Sequence, residues 1–305
     1  MTEHCYNDIV TLLKEQGERC SMSLGIAFKG PEGIVLAADS RVTLMAQLPG
    51  QLPGQSLVVP ATYDNATKLL RVKCQTHIGA ITYGVGALGL QEFRTANSLM
   101  PEFEDYLRSE PSVQKDKNGA VARLRVEEFA THLSSFFQSQ WKNRMPPPPP
   151  NVQILDIAFL VGGYDENEPY GKVFEFQVPT RPNPRETLPR IFGLTWGGQR
   201  EFVDRLLRGY DDRLPIMAQQ FLHLNDSQRD GLIQHFTNTL GVPIPYQFLP
   251  LQDCVDLSVF LIRITMGIQY WFMGLRGVGG EIDVATIKRI EGLEAIKEKK
   301  ITGGD

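Results

Sequence analysis

Cysteine and histidine are the side chains of this chain best able to bind a metal ion or form a cross-link, so their spacing is informative. The five histidines show no HExxH motif or comparable ligand spacing. No two of the four cysteines form a CxxC pair; they are Cys5, Cys20, Cys74 and Cys254. The sequence therefore predicts neither a zinc site nor a disulfide framework, and free thiols fit a reducing, cytoplasmic compartment.

A second pattern with possible chemistry is GxGxxG, formed by Gly84, Gly86 and Gly89 between a predicted strand and a predicted helix. In outline this is a dinucleotide-binding motif. A Rossmann unit, however, opens with a parallel βαβ unit and continues to alternate strands and helices. Here predicted hairpins come first and no βα repeat follows. We interpret the glycines as sites of close helix–sheet packing, with NAD binding as the alternative, and expect no cofactor.

Composition and charge exclude several classes of partner. The net charge is -4, the pI is about 5.8, and no cluster of Lys and Arg suggests a surface for nucleic acid. Residues 1–20 contain four acidic side chains and no apolar stretch long enough for a signal peptide. The most apolar stretch, residues 255–273, contains Asp256 and Arg263, so we expect a buried helix and no membrane span.

The elements that must position any site begin with strands. Apolar spacing predicts a helix over residues 6–18, and the pattern changes directly afterwards. The runs SMSLGIAF and IVLAADSR around the turn KGPEG predict a β-hairpin. A flexible solvent loop is expected over residues 48–55, LPGQLPGQ. Two further strands, over residues 68–72 and 77–85, would complete an antiparallel opening sheet.

Helices and a second hairpin are predicted next. Apolar residues three and four apart predict helices over residues 88–108 and 121–142, the second ended by a run of prolines. Residues 156–165 and 172–178 predict two paired strands, followed by a surface loop over residues 179–189. Further helices are expected near 199–208, 226–240 and 251–273, and a last strand over 281–290. This order favours two sheets covered by helices over alternating βαβ units.

A known family shows the same ordered series of motifs. The segments SMSLGIAFKG…GIVLAADSR, DNATKLL, IGAITYGVGALG, FLVGGYD…KVFEF and GGEIDVATI together resemble the β-type subunits of proteasomes, which are N-terminal nucleophile hydrolases. The resemblance runs from about Ser21 to about Ile290. It implies an α+β fold, a four-layer αββα sandwich of two mainly antiparallel sheets. It also implies a leader over residues 1–20, a single domain over residues 21–295 and a charged tail over residues 296–305. The domain would carry inserts near residues 46–61, 144–151, 179–190 and 213–250.

In this family the first residue of the mature chain is both nucleophile and base. A free α-amino group has a pKa of about 7.7 to 8.0, so it can accept the proton of its own hydroxyl. A hydroxyl in mid-chain has no such amine, so the leader must be removed. Matching Gly25 to the family's glycine at the fifth mature position places the nucleophile at Ser21, where the family usually has threonine. Cys20 is an alternative nucleophile, and Ser21 would be inert behind an uncut leader.

The resemblance implies partners for this serine. Asp39 matches the family's acidic residue, seventeen positions into the mature chain once two extra turn residues are discounted, and Lys68 matches its lysine. An ammonium beside the nucleophile would stabilise developing negative charge, and Asp39 would keep Lys68 charged and oriented. Taken alone, the two would be a turn-capping carboxylate and a strand-edge charge. Arg41 is expected to be a structural ion-pair partner, and Gly197 with Gly198 to supply oxyanion donors.

Some supporting residues of the family are missing. Leu275 and Val278 stand where the family has an aspartate and a serine beside the amine, and only Thr195 could replace the serine of its Gly-Ser-Gly turn. Weak or absent activity is therefore an open alternative. The leading hypothesis is a cytoplasmic peptidase subunit that uses Ser21 on peptides or unfolded proteins, in a homo-oligomeric ring with an ATPase as possible partner. The alternatives are a non-catalytic scaffold subunit with an uncut leader and an amidohydrolase of small amides.

Overall fold

A computed structural model describes residues 23–49, 56–89, 92–147, 155–271, 273 and 276–299. The leader over residues 1–20, the helix over residues 6–18, the nucleophile Ser21 with its alternative Cys20, and Leu275 lie wholly outside these residues. Residues 50–55 of the predicted loop and residues 300–305 of the predicted tail also lie outside them, and residues 48–49 of that loop belong to a strand.

One five-stranded antiparallel sheet, here sheet I, contains the predicted first hairpin. Its strand order is β10-β1-β2-β11-β12. The strands are β1 (Leu24–Lys29), β2 (Ile34–Ala38), β10 (Gly193–Gly198), β11 (Asp283–Lys288) and β12 (Gly292–Lys297). β12 was not predicted, and its last two residues belong to the segment expected to be a charged tail.

A second five-stranded antiparallel sheet, sheet II, has the order β5-β6-β7-β8-β9. Its strands are β5 (Leu69–Leu70), β6 (Ile78–Gly84), β7 (Ile157–Gly163), β8 (Lys172–Val178) and β9 (Arg181–Glu186). The prediction of a surface loop over residues 179–189 was therefore wrong, because β9 pairs with β8. β9 is an edge strand, where a proline need not donate a ladder hydrogen bond.

A separate two-stranded hairpin follows β2. It consists of β3 (Val42–Pro49) and β4 (Ser56–Tyr63), and it forms most of the insert predicted near residues 46–61. The predicted opening strands are antiparallel, but they do not form one sheet: the first two belong to sheet I and the next two to sheet II. The hairpin between them was not predicted.

Six α-helices lie in the described part of the chain. They are α1 (Met100–Ser109), α2 (Val126–Arg144), α3 (Glu201–Arg208), α4 (Arg213–Leu222), α5 (Asp226–Leu240) and α6 (Leu251–Gln269). None of these helices is both long enough and apolar enough to cross a membrane.

Two predicted helices begin later than expected. The first begins at Met100 instead of Leu88, because Gly89 has a left-handed φ of +104° and Leu88 exchanges backbone hydrogen bonds with Arg94. Pro101 then stands in the first turn of α1, where proline is well tolerated. The second begins at Val126, whose N–H donates to Asp165 Oδ1 at 2.7 Å. Helix α4 was missed, and α6 ends four residues before the predicted end.

Three hydrophobic clusters hold these elements together. One lies between the two sheets and includes Leu36 of sheet I and Leu160 of sheet II. A second lies between sheet II and helices α1 and α2, where Phe137 and Phe159 approach with ring centroids 4.5 Å apart. The third packs Ile26 of sheet I against helix α6. Each sheet is therefore covered on both faces, which explains why the inner strands β1, β2, β6 and β7 are almost wholly apolar.

Leu160 tests the packing between the sheets. Its side chain is fully buried in the cluster between them, so Leu160→Ala should lower the free energy of unfolding by about 2 to 5 kcal/mol. Urea unfolding measures this change. The matched control is Ile290→Ala, at a side chain that is 92% exposed, with an expected change within about 0.5 kcal/mol. Equal effects of the two substitutions would contradict the assignment of this core.

Candidate active site

Asp39 and Lys68 form a buried ion pair between the two sheets. Asp39 directly follows β2 and Lys68 directly precedes β5. Lys68 Nζ donates a hydrogen bond to Asp39 Oδ1 at 2.7 Å. The Lys68 side chain is 5% exposed and the Asp39 side chain is fully buried. Two residues singled out by the sequence are thus in direct contact, although 29 residues separate them in the chain.

The carboxylate of Asp39 is fixed from several directions. Its Oδ1 accepts a second hydrogen bond from the N–H of Leu24 at 2.9 Å. Its Oδ2 accepts from the N–H of Arg41 at 3.1 Å and of Gly279 at 3.0 Å. These backbone donors fix the orientation of the carboxylate. Asp39 therefore presents one oxygen to Lys68 and anchors the loop before β11 with the other.

The hydroxyl beside this pair belongs to Ser23. Lys68 Nζ donates to Ser23 Oγ at 2.6 Å, and this contact is buried. Ser23 Oγ has a longer contact of its own, donating to the carbonyl of Arg41 at 3.4 Å. Sequence reasoning missed Ser23, and the predicted nucleophile Ser21 and its alternative Cys20 lie outside the described residues. Among the described serines, Ser23 is the one whose hydroxyl forms a hydrogen bond with Lys68.

A signal for Ser23 was present in the sequence. The turn between β1 and β2 is closed by a hydrogen bond from Gly30 N to Gly33 O at 2.9 Å, so Pro31 and Glu32 occupy an ordinary four-residue turn. If these two residues are not discounted, the seventeen-residue spacing implied by the resemblance makes Ser23 the first residue and Asp39 the seventeenth. Gly25, which anchors the Ser21 register, also has a packing reason: an added Cβ there would lie 3.1 Å from the Tyr83 ring. The register at Ser21 stays a prediction.

The backbone of Ser23 is held in an uncommon conformation. Its φ is +93°, a value that non-glycine residues rarely adopt. Its N–H donates to the carbonyl of Gly277 at 2.9 Å, and its carbonyl accepts from the N–H of Gln199 at 2.8 Å. An added Cβ on Gly198 would lie 2.1 Å from this carbonyl, so only glycine fits there. Such strain often marks functional sites.

The predicted oxyanion turn lies next to Ser23. Gly197 and Gly198 end β10 and pair with Gly25 and Leu24 of β1. Gly197 also packs against Tyr83, since an added Cβ would lie 2.2 Å from that ring. The role of these two glycines as oxyanion donors stays a prediction.

Burial shapes the titration of Lys68. Removal from solvent lowers the pKa of its ammonium, and the charge and hydrogen bond of Asp39 oppose this change only in part. A lysine with a lowered pKa can exchange a proton more easily with a neighbouring hydroxyl. Lys68, held by Asp39, can therefore assist Ser23 Oγ as a nucleophile.

Arg41 forms the structural ion pair that the sequence predicts, and its partner is Asp64. Nε and Nη2 of Arg41 donate to the two carboxylate oxygens of Asp64 at 2.5 and 2.7 Å. These hydrogen bonds lower the pKa of Asp64 and raise the pKa of Arg41. Arg41 precedes β3 and Asp64 follows β4, so the pair closes the base of this hairpin beside the site.

Val278 and Thr195 are two positions where the resemblance to the family predicts a loss of polar support. Val278 is buried, and its N–H donates to Gln269 Oε1 at 3.0 Å. The hydroxyl of Thr195 donates to Thr187 Oγ1 at 2.7 Å, so its proton is directed towards that residue. Leu275 lies outside the described residues. Backbone groups of Gly277 and Gly279 make the contacts to Ser23 and Asp39 instead.

A small pocket opens beside Ser23 and Lys68. Its other lining residues include Val42, Ala66, Thr82, Val85 and Gly86. An added Cβ on Gly86 would lie 1.9 Å from the Val42 side chain. The sequence analysis predicted that these glycines allow close packing between a helix and a sheet. Instead, Gly84 packs against the start of β7 and Gly86 packs against β3.

The described residues bear on two kinds of cofactor, a dinucleotide and a metal ion. The described strands form antiparallel sheets, so the glycines at 84, 86 and 89 do not belong to a parallel βαβ unit there. Within the described ranges, no group of three or more His, Cys, Asp or Glu side chains could hold a metal ion.

The Lys68–Asp39 pair makes a prediction about stability. Lys68→Met and Asp39→Asn should each lower the free energy of unfolding by about 3 to 5 kcal/mol, because each leaves a buried group without its partner. The double variant should lose less than the sum of the two. Urea unfolding of the four proteins gives the coupling energy.

The surface pair Arg108–Asp105 is the matched control for that cycle, since both of its side chains are largely exposed. Its coupling energy should be between 0 and about 1 kcal/mol. A coupling energy for Lys68 and Asp39 no larger than this would contradict a buried, paired site.

Comparisons with known proteins give little further information. No protein-family model matches the chain, and no curated protein matches it. Solved structures do match, among them the Anbu (Gly-1) mutant from Hyphomicrobium sp. strain MC1. That match has 12% sequence identity and a TM-score of 0.47, and it covers 93% of this chain and 88% of the other. This is a weak structural likeness, so the functional conclusion rests on the contacts of this chain's own residues.

Proposed function

We propose that this protein is a peptide-bond hydrolase of the N-terminal nucleophile type, similar to proteasome β-type subunits, with the fold of a four-layer αββα sandwich. The layers would be α6, sheet I, sheet II and the pair α1–α2, an order that the three hydrophobic clusters support. The observation that carries the activity is the buried ammonium of Lys68, which contacts both Ser23 Oγ and Asp39.

Ser23 is the proposed nucleophile in place of Ser21. Removal of residues 1–22 would turn the N–H of Ser23 into a free amine with a pKa near 7.7 to 8.0, about as basic as the reaction needs at neutral pH. This amine would take the proton of Ser23 Oγ as the oxygen attacks a substrate carbonyl. The peptide C–N bond then breaks, the proton passes to the leaving amine, and an ester forms on Ser23. Water hydrolyses the ester in a second step.

Lys68 and Asp39 have electrostatic roles in this scheme. Lys68 Nζ lies 2.6 Å from Ser23 Oγ, where its positive charge would stabilise the developing alkoxide. Asp39 favours the charged form of that lysine and fixes its position. Gly197 and Gly198 are the proposed source of oxyanion donors, because they end β10 beside Ser23.

A non-catalytic subunit with an uncut leader is the second candidate. Val278 favours it, since an apolar side chain stands where the family has a serine near the amine. The hydrogen bond from Ser23 N to Gly277 O is also compatible with an ordinary peptide group at Ser23. A hydrolase of small amides is a third possibility, because the nucleophile does not define the substrate.

The position of the leader cleavage separates these candidates. We predict that the purified protein loses residues 1–22 and begins at Ser23, as measured by intact mass and N-terminal sequencing. Ser23→Ala should keep the full-length chain and reduce cleavage of fluorogenic peptides by at least about 10²-fold.

Ser21→Ala is the matched control, two residues upstream. It should leave both processing and peptide cleavage close to those of the original protein. A chain that begins at Ser21 and loses activity only with Ser21→Ala would restore the first register. A full-length chain without peptide cleavage would favour the scaffold subunit.

Assembly and compartment are also part of the proposal. We expect a homo-oligomeric ring in the cytoplasm, with peptides or unfolded proteins as substrates and an ATPase as partner. Exposed apolar side chains such as Phe221 on α4, which is 83% exposed, support association with other chains. Size-exclusion chromatography with light scattering should show a multiple of 34.2 kDa. A monomer at micromolar concentration would contradict the ring.

A further inference from the structure

A second buried lysine–aspartate pair lies beside the first. Asp283 begins β11 and is paired across the sheet with Ala38, the residue before Asp39. Lys299 follows β12, and its Nζ donates to Asp283 Oδ2. The Lys299 side chain is 12% exposed and that of Asp283 is fully buried. Nothing in the proposed reaction uses this pair directly.

Ser40 connects the two pairs. Lys299 Nζ donates to Ser40 Oγ at 2.6 Å, and Ser40 directly follows Asp39 in the chain. The hydroxyl of Ser40 donates in turn to the carbonyl of Glu281 at 2.5 Å. The ammonium of Lys299 is therefore joined to the peptide that carries Asp39 through one intervening side chain.

The backbone of Ser40 is tied to both partners of the site. Its N–H donates to Gly279 O at 3.0 Å, and Gly279 N donates back to Asp39 Oδ2. Its carbonyl accepts from the N–H of Ala66 at 2.9 Å, and Ala66 lies two residues before Lys68. A displacement of Ser40 would thus move the supports of Asp39 and of Lys68 together.

We propose that Lys299 is a positioning residue for the proposed hydrolysis: by holding Ser40 against Asp283, it keeps Asp39 and Lys68 aligned with Ser23. This inference rests on the proposed function. It assigns the chain beyond β12 a role in the site, although the sequence suggested only a charged tail there.

Electrostatics gives the proposal a distinctive consequence. The positive charge of Lys299 lowers the pKa of Lys68, and the negative charge of Asp283 raises it. In the intact pair these two influences oppose each other. Removing only the charge of Lys299 leaves Asp283 unopposed and raises the pKa of Lys68, whereas removing both charges changes it little. Other charged groups around the two lysines stay the same: Asp39, Arg41, Asp64, Arg263, Glu281 and Lys297.

Lys297 provides a matched control on the same segment. Its Nζ lies 2.8 Å from Glu281 Oε2, and both side chains are about half exposed. Lys297→Met therefore removes the same charge two residues from Lys299 without touching Ser40 or Asp283.

The experiment compares Lys299→Met, Lys299→Arg, the double variant Lys299→Met/Asp283→Asn and Lys297→Met in the full-length chain. Lys299→Met should lower kcat for a fluorogenic peptide by about 10- to 100-fold with little change in KM, because it displaces groups already in contact. In this variant the basic limb of the pH dependence of kcat, where Lys68 loses its proton, should move to higher pH. Lys299→Arg should recover most of kcat, the double variant should return the limb towards its original position, and Lys297→Met should change neither quantity.

A second readout does not depend on hydrolysis. Lysines labelled with ¹³C at Cε report the titration of Lys68 by NMR, and the signal is assigned by its loss in Lys68→Met. The pKa of Lys68 should rise in Lys299→Met and stay unchanged in Lys297→Met. If no variant and no original protein cleaves peptide, the proposed function fails, and this titration alone decides the role of Lys299.

Equal behaviour of Lys299→Met and Lys297→Met in kcat and in the Lys68 titration would overturn the proposal. If Lys299→Met does not fold, as judged by circular dichroism, Lys299→Arg and the double variant decide. Retained kcat in the double variant, without either Lys299 or Asp283, would also overturn it.

Discussion

The structure depends on one buried charge, the ammonium of Lys68. An unpaired charge in the interior is very costly, so Lys68 requires a carboxylate and further polar partners at short range. Asp39 and Ser23 supply these partners at 2.7 and 2.6 Å. Asp39 in turn requires donors for its remaining lone pairs, and Leu24, Arg41 and Gly279 provide them through their backbone N–H groups.

This requirement explains why the ends of several elements converge. Ser23 precedes β1, Asp39 follows β2, Lys68 precedes β5, Gln199 follows β10 and Gly279 precedes β11. The two sheets pack face to face through small and branched side chains, and glycines permit the closest approaches. The core thus fixes the strands, and the strands fix a polar site where they end.

Part of this arrangement could be predicted from the sequence. The hairpin β1–β2 and the strands β6, β7 and β8 follow from apolar runs broken by turn residues, and the pairing of Asp39 with Lys68 follows from family resemblance. The contact of Ser23 with Lys68 was not predicted, because the match at Gly25 directed attention to Ser21; packing against Tyr83 accounts for that glycine equally well. Two missed elements are edge or surface elements whose patterns are weak: β9 contains two prolines, and β12 alternates with charged side chains. The contact between Lys299 and Ser40 has no local signal, since 259 residues separate them.

The most direct test of the account is the location of a covalent adduct. A fluorophosphonate probe phosphonylates an activated serine hydroxyl with loss of fluoride, and peptide mapping by mass spectrometry identifies the modified residue. We predict a single adduct on Ser23, which is absent in Lys68→Met. An adduct on Ser21, or a processed protein in which Ser23 stays unmodified, would contradict it.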